Sequence, residues 1–125
     1  MTIKDVISMV DGLKANQITG AQKLRWLSEC DSTIFNDIIA VHENDGSMPV
    51  VFKGYTDADV DTELLAKAPH DILYRHYLEM QIDLYNKELA NYNNSNRLYN
   101  AALTAFSNWY TRNHMPTGQA THFKL

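Results

Sequence analysis

From Leu78 to Tyr110 the chain reads LEMQIDLYNKELANYNNSNRLYNAALTAFSNWY. Within it Leu78, Ile82, Tyr85, Leu89, Tyr92, Asn96, Tyr99, Leu103, Phe106 and Tyr110 recur at alternating spacings of four and three. Nine of these ten are apolar or aromatic, so the seam predicts a heptad-like helix sustained over about four repeats. A loop would reset the phase, yet the phase runs through the polar patch Asn93-Asn94-Ser95-Asn96. That continuity favours one very long helix over 70–114. Propensity pulls the other way. Asn and Ser between Asn91 and Asn96 forgo roughly 3 kcal/mol of helicity relative to Ala, so a kink at Asn93–Asn96 is the alternative. Pro116 then stops the helix.

A helix of about 44 residues is about 66 Å long. A compact chain of 125 residues is only about 35 Å across. Two shorter helices upstream cannot cover such a rod, so the reading calls for a partner chain, most simply copies of itself. Six of the seven tyrosines lie in this stretch, among them Tyr74, Tyr77 and Tyr85. Tyr buries area but needs a partner for its hydroxyl. The rings therefore suit either an intramolecular core or an interface, and both readings stay open.

Upstream, Ile3, Val6, Ile7, Val10 and Leu13 mark one helix face, with Thr2 placed to cap it and Asp5 three residues on. Thr19 caps a second helix over about 21–42, on a stripe of Leu24, Leu27, Ile34, Ile38 and Val41 widened by Trp26, Phe35 and Ile39. The short link between these two helices predicts antiparallel packing. From Glu43 to Pro69 the helical pattern lapses. Asp45-Gly46 and Met48-Pro49 are turn signals, and Val50-Val51-Phe52 with Tyr55 reads as one short strand. Between Glu43 and Glu63 six acids meet one lysine, a net −5 against −4 for the whole chain. An unstructured connection this long is often functional.

Composition narrows the function classes. With 45 % hydrophobic and 21 % charged residues the chain is an ordinary globular domain. One cysteine excludes an internal disulfide framework. A net charge of −4 argues against broad binding to nucleic acid or an anionic membrane. No apolar run approaches the length of a membrane span. Met1-Thr2-Ile3-Lys4-Asp5 lacks a basic-then-apolar signal, which predicts a protein made and kept in the cytosol.

Chemistry is sparse. No two of the five histidines have zincin spacing. His76, Glu79 and Asp83 share a helix face, but in the reverse of the Glu-x-x-His order of a di-iron bundle. Asp57, Asp59 and Asp61 imitate the start of a calcium loop, whose sixth and twelfth positions are here Thr62 and Ala68. Cys30 lies between Glu29 and Asp31, which raises rather than lowers a thiol pKa. The expectation is a non-enzyme with no cofactor and no metal.

Gln22-Lys23-Leu24-Arg25-Trp26-Leu27, Asp61-Thr62-Glu63-Leu64-Leu65, Ala68-Pro69-His70-Asp71-Ile72-Leu73-Tyr74, Gln81-Ile82-Asp83-Leu84-Tyr85-Asn86, Tyr92-Asn93-Asn94 and Trp109-Tyr110-Thr111-Arg112-Asn113-His114-Met115-Pro116 together resemble small helical structural proteins of tailed bacteriophages and prophages. Proteins of that kind look like head–tail connectors, also called adaptor or head-completion proteins. The resemblance implies a virion structural subunit that docks on a portal and self-associates in a ring around the DNA channel. DNA would pass nearby without specific binding, and no membrane is involved. Such a subunit would sit in the host cytoplasm during assembly and then in the virion. A non-enzymatic phage accessory or regulatory protein, binding a host or packaging partner, is the second reading.

The expected architecture is all-α: a bundle of two N-terminal helices, an irregular acidic loop and one very long, kinkable C-terminal helix. It forms a single domain over 1–116 with a flexible tail over 117–125. The contact residues expected from apolar character outside the helical pattern are Val50, Val51, Phe52 and Tyr55 in the loop, and Phe123 and Leu125 in the tail. The loop set can equally fold back on its own bundle.

Overall fold

The computed structural model describes residues 1–43 and 51–114. The chain is all-α, as expected, with no strand among the described residues. Helix α1 spans Ile3–Leu13 and α2 spans Gly20–Ile34. A π-helical turn, Phe35–Ile39, carries α2 into a last short turn, α3, Ala40–Glu43. From Val51 the described chain runs as an irregular strap with one 3₁₀ turn at Asp57–Asp59. Helices α4, Ile72–Tyr85, and α5, Leu89–Asn113, complete the bundle.

The caps form where the sequence places them. Thr2 Oγ1 accepts from the Asp5 N–H while Asp5 accepts from the Thr2 N–H, a reciprocal capping box. Thr19 Oγ1 accepts from the Gln22 N–H at the head of α2. The π turn leaves the Ala40 N–H bonded to the Phe35 carbonyl, five residues back. That inserts one residue into the ladder and turns the rest of the helix by one position. Val41, expected on the core stripe, is consequently 62 % exposed.

The single long helix is corrected to a hairpin. The break falls at Asn86–Glu88, not at the polar patch Asn93–Asn96, which lies inside α5. Lys87 adopts the left-handed conformation at φ 59°. The Lys87 N–H bonds the Leu84 carbonyl and the Glu88 N–H bonds that of Asp83. These are the two bonds of a Schellman motif, usually built on Gly. The seam keeps its phase because both legs present the same residues to each other. Rings of His70 and Phe106 lie 5.8 Å apart and those of Tyr77 and Tyr99 5.1 Å apart. Near the turn Ser95 Oγ donates to Asp83 Oδ2 at 2.9 Å. The legs therefore run antiparallel, and the seam cores the subunit with Leu78, Ile82, Tyr99, Phe106 and Tyr110. Its members at the tip, Tyr85 and Leu89, stand exposed. In the patch itself, Asn94 accepts from Arg97 at 2.7 Å and Ser95 is buried against Asp83. These contacts offset part of its weak propensity.

Helix α4 sits centrally, touching α1, α2 and α5. Ile3, Val6 and Val10 of α1, Leu27 and Ile34 of α2, and Leu73, Leu78 and Ile82 of α4 share one core with Leu64 and Ala66 of the strap. Two charged links lock the ends. Lys14 Nζ donates to the buried Asp83 Oδ1 at 2.5 Å, tying the end of α1 to the end of α4. Buried Lys23 of α2 pairs with Asp11 of α1. The strap also completes α1, because carbonyls of Val60 and Thr62 accept from the Lys4 and Ile3 N–H groups, which a helix start leaves unsatisfied.

Candidate interaction surface and the Asp31 node

Among the expected loop contacts, Val51 is 69 % exposed, whereas Phe52 and Tyr55 turn inward. The Phe52 ring stacks on Phe35 at 6.1 Å and meets Tyr55 edge-on at 5.1 Å. Val51 and Phe52 form no strand. Val50, Phe123 and Leu125 lie outside the described residues, as does the tail over 117–125.

Tyr55 leads to the most polar point of the interior. Asp31, on α2, is fully buried. Its Oδ1 accepts from the Tyr74 hydroxyl of α4 at 2.5 Å. Its Oδ2 accepts from the Tyr55 hydroxyl and from the Leu65 N–H at 3.1 Å. Tyr74 in turn accepts from the Ala66 N–H at 2.8 Å. Three donors from the strap and α4 thus converge on one carboxylate, with Ala66 behind one of them. No cation pairs with Asp31 among the described residues. Burial raises the Asp31 pKa, while the three donors oppose that shift. Burial and the neighbouring carboxylate push the Tyr55 and Tyr74 phenols far above their ordinary range.

The sequence held a signal for this node that the apolar stripe passed over. Asp31 falls between Leu27 and Ile34 at spacings of four and three, a core position occupied by an acid. Neighbouring Cys30 is buried, as its helix position suggests, and burial drives its thiol well above the ordinary value. Its Sγ lies 3.7 Å from the Tyr99 hydroxyl.

The strap is also pinned to α2 at Ser28. Ser28 Oγ accepts from the Tyr55 N–H at 3.0 Å. Gly54, at φ 82°, lies so close that a Cβ there would stand 2.8 Å from Ser28 Oγ. Both the conformation and the approach require glycine. Beside this crossing is a shallow groove of about 390 Å³ between Leu24, Arg25, Ser28, Tyr55 and Asp57.

The acidic residues form no metal-binding arrangement among the described residues. Asp59 accepts from the Thr56 N–H and hydroxyl as part of a capping box, and Asp83 is taken by Lys14 and Ser95. No group of three His, Cys, Asp or Glu among the described residues could hold a metal ion. No described helix is long and apolar enough to cross a membrane.

The large exposed apolar side chains concentrate on the hairpin. Leu84, Tyr85 and Leu89 surround the α4–α5 turn, and Tyr85 and Leu89 are 65 % and 64 % exposed. Leu98 and Trp109 lie along α5 on one helical face, three turns apart. No family model, curated protein or solved structure matches the chain.

Proposed function

We propose that the chain is a phage virion structural protein, a head–tail connector subunit that docks on the portal and self-associates in a ring. What supports the reading is the exposed apolar tip of the hairpin. Leu84, Tyr85 and Leu89 are carried on a turn held by backbone hydrogen bonds and by Asp83. A rigid knuckle of this kind suits a protein that works by geometric docking rather than by chemistry. The resemblance of several segments to small phage structural proteins adds to it. In this reading the acidic stretch from Glu43 to Glu63 faces the channel, where negative charge lets DNA slide without sticking. The subunit acts in the host cytoplasm during assembly and ends in the virion.

The test begins with the DNA flanking the gene. Portal, capsid and tail genes on its flanks are expected. The portal should then retain the full chain on co-expression, and Tyr85→Ser with Leu89→Ser should weaken that retention while leaving the subunit folded. Flanking metabolic or regulatory genes would sink the connector reading and leave an accessory protein that binds another partner.

A further inference from the structure

The strap is fastened to α2 through a buried carboxylate that forms no ion pair among the described residues. Asp31 is wholly removed from water, and its three hydrogen-bond donors are all neutral: two phenols and one amide. Three of the four groups at the node close only when the strap lies down, namely Tyr55, Leu65 and Ala66. Apart from the 3₁₀ turn, the described strap has no regular structure, and residues 56–58 and 60–63 are exposed. Segments of this kind open locally at lower cost than helices packed in the core.

We propose that strap residues 55–66 form a proton-tightened latch on α2: acidification holds the strap closed and rising pH loosens it. The physical reason is the desolvation of a lone charge in the interior. With the strap closed, ionised Asp31 is removed from water, its hydrogen-bond donors are all neutral, and Lys67 acts on it only as a smaller, unpaired charge, so burial outweighs the compensation. With the strap lifted, water solvates the carboxylate and restores its ordinary behaviour. A proton therefore binds the closed state more tightly, and burial raises the Asp31 pKa accordingly. Linkage sets the sign. A carboxyl raised in the closed state favours closure as pH falls towards the ordinary value of about 3.9, and this advantage fades above the raised value. Most carboxylate-held contacts behave in the opposite way. The protonated carboxyl has an acceptor at hand in the Tyr55 phenol oxygen.

The other groups facing the node do not supply this dependence. From α2 comes Cys30, from α4 Tyr74 and Tyr77, from α5 Tyr99, and from the strap Tyr55. Burial raises all five, Tyr77 to about 12 and the others further. Lys67 is engaged by the Leu64 carbonyl, to which its Nζ donates at 2.6 Å. Asp59 and Glu29 act from the edge, on Tyr55 and Tyr77. Asp59 accepts from the Thr56 N–H and hydroxyl in the strap's own turn and does not touch Asp31. The latch concerns the single subunit and is independent of the connector reading.

The experiment is amide hydrogen exchange of the full chain at pH 4.5 and pH 7.5, corrected for intrinsic rates. Leu65 and Ala66 report the strap, and Leu78 in the core reports global opening. Relative to Leu78, the opening equilibrium of Leu65 and Ala66 should fall by about threefold or more on acidification. Asp31→Asn should abolish that dependence, and Asp59→Asn should keep it. Opening that is independent of pH, opening that rises in acid, or an unchanged dependence in Asp31→Asn each overturns the latch. Should Asp31→Asn not fold, Tyr55→Phe decides, because it leaves the buried carboxylate with one donor fewer. A steeper pH dependence in Tyr55→Phe supports the latch and an unaltered one refutes it.

Discussion

The Tyr74 hydroxyl, on α4, donates to Asp31 Oδ1, on α2, at 2.5 Å across 43 residues of sequence, and the same oxygen accepts from the Ala66 N–H. One phenol thereby joins two helices and the strap. Tyr74→Phe keeps the ring but strips a donor from a buried charge and an acceptor from a buried amide. A loss of about 2–3 kcal/mol is expected in urea unfolding. Tyr55→Phe should lose less, because Tyr55 is only half-buried.

Lys87 occupies a left-handed position that glycine fills without steric penalty. Lys87→Gly should raise stability by about 0.5–1 kcal/mol, the relief of the side-chain clash less the extra entropy of the unfolded glycine. Lys87→Val, with a branched Cβ in the same conformation, should lower it. Chemical denaturation of the two variants checks both signs.

Asp83 is fully buried and depends on Lys14 for its counter-charge. Lys14→Met leaves that carboxylate with only the Ser95 hydroxyl from a side chain. A loss of about 3 kcal/mol is expected. The double variant Lys14→Met with Asp83→Asn should recover a large share of it, since the unpaired charge is gone. A double-mutant cycle by thermal or urea unfolding measures the coupling.

Nδ1 of His76 is buried with no hydrogen-bond partner among the described residues, 3.8 Å from Glu79 Oε1. Desolvation holds its pKa below the ordinary value, while Glu79 pulls upward. For a base with a depressed folded value, the unfolded chain takes up the proton first. Stability should therefore fall as pH drops through about 6.5 and continue to fall until the folded value is passed. His76→Leu should flatten that slope between pH 7.5 and 5.5. Urea midpoints at three pH values suffice to see it.

Legibility tracked the length scale of each signal. The caps at Thr2 and Thr19 act within one helical turn, so Thr-x-x-Asp before an apolar face was enough to place α1. The seam from Leu78 to Tyr110 named the residues that meet in the core, because period is a property of the sequence. Whether they meet another chain or each other depends on a turn that no Gly or Pro announces. Lys87 adopts the glycine-like conformation there because the Asp83 and Leu84 carbonyls each gain a hydrogen bond and the two apolar faces close on one another. The Asp31 node was half-written, as an acid at a core spacing in α2. Its partners Tyr55, Leu65 and Tyr74 lie 24 to 43 residues away.

By itself, then, the sequence determined an all-α chain, the two N-terminal helices with their caps, the buried stripe from Leu24 in α2 to Ile38 in the π turn, and the identity of the residues along the α4–α5 seam. Hydrophobic period and capping are local, and local energies suffice for them. Only the tertiary structure decided that the seam folds back on itself, that the π turn rotates Val41 into solvent, that Phe52 and Tyr55 face inward, and that Asp31 collects the strap. Each of these is a balance between the conformational cost of a turn or a desolvated charge and contacts that exist only once distant segments have met.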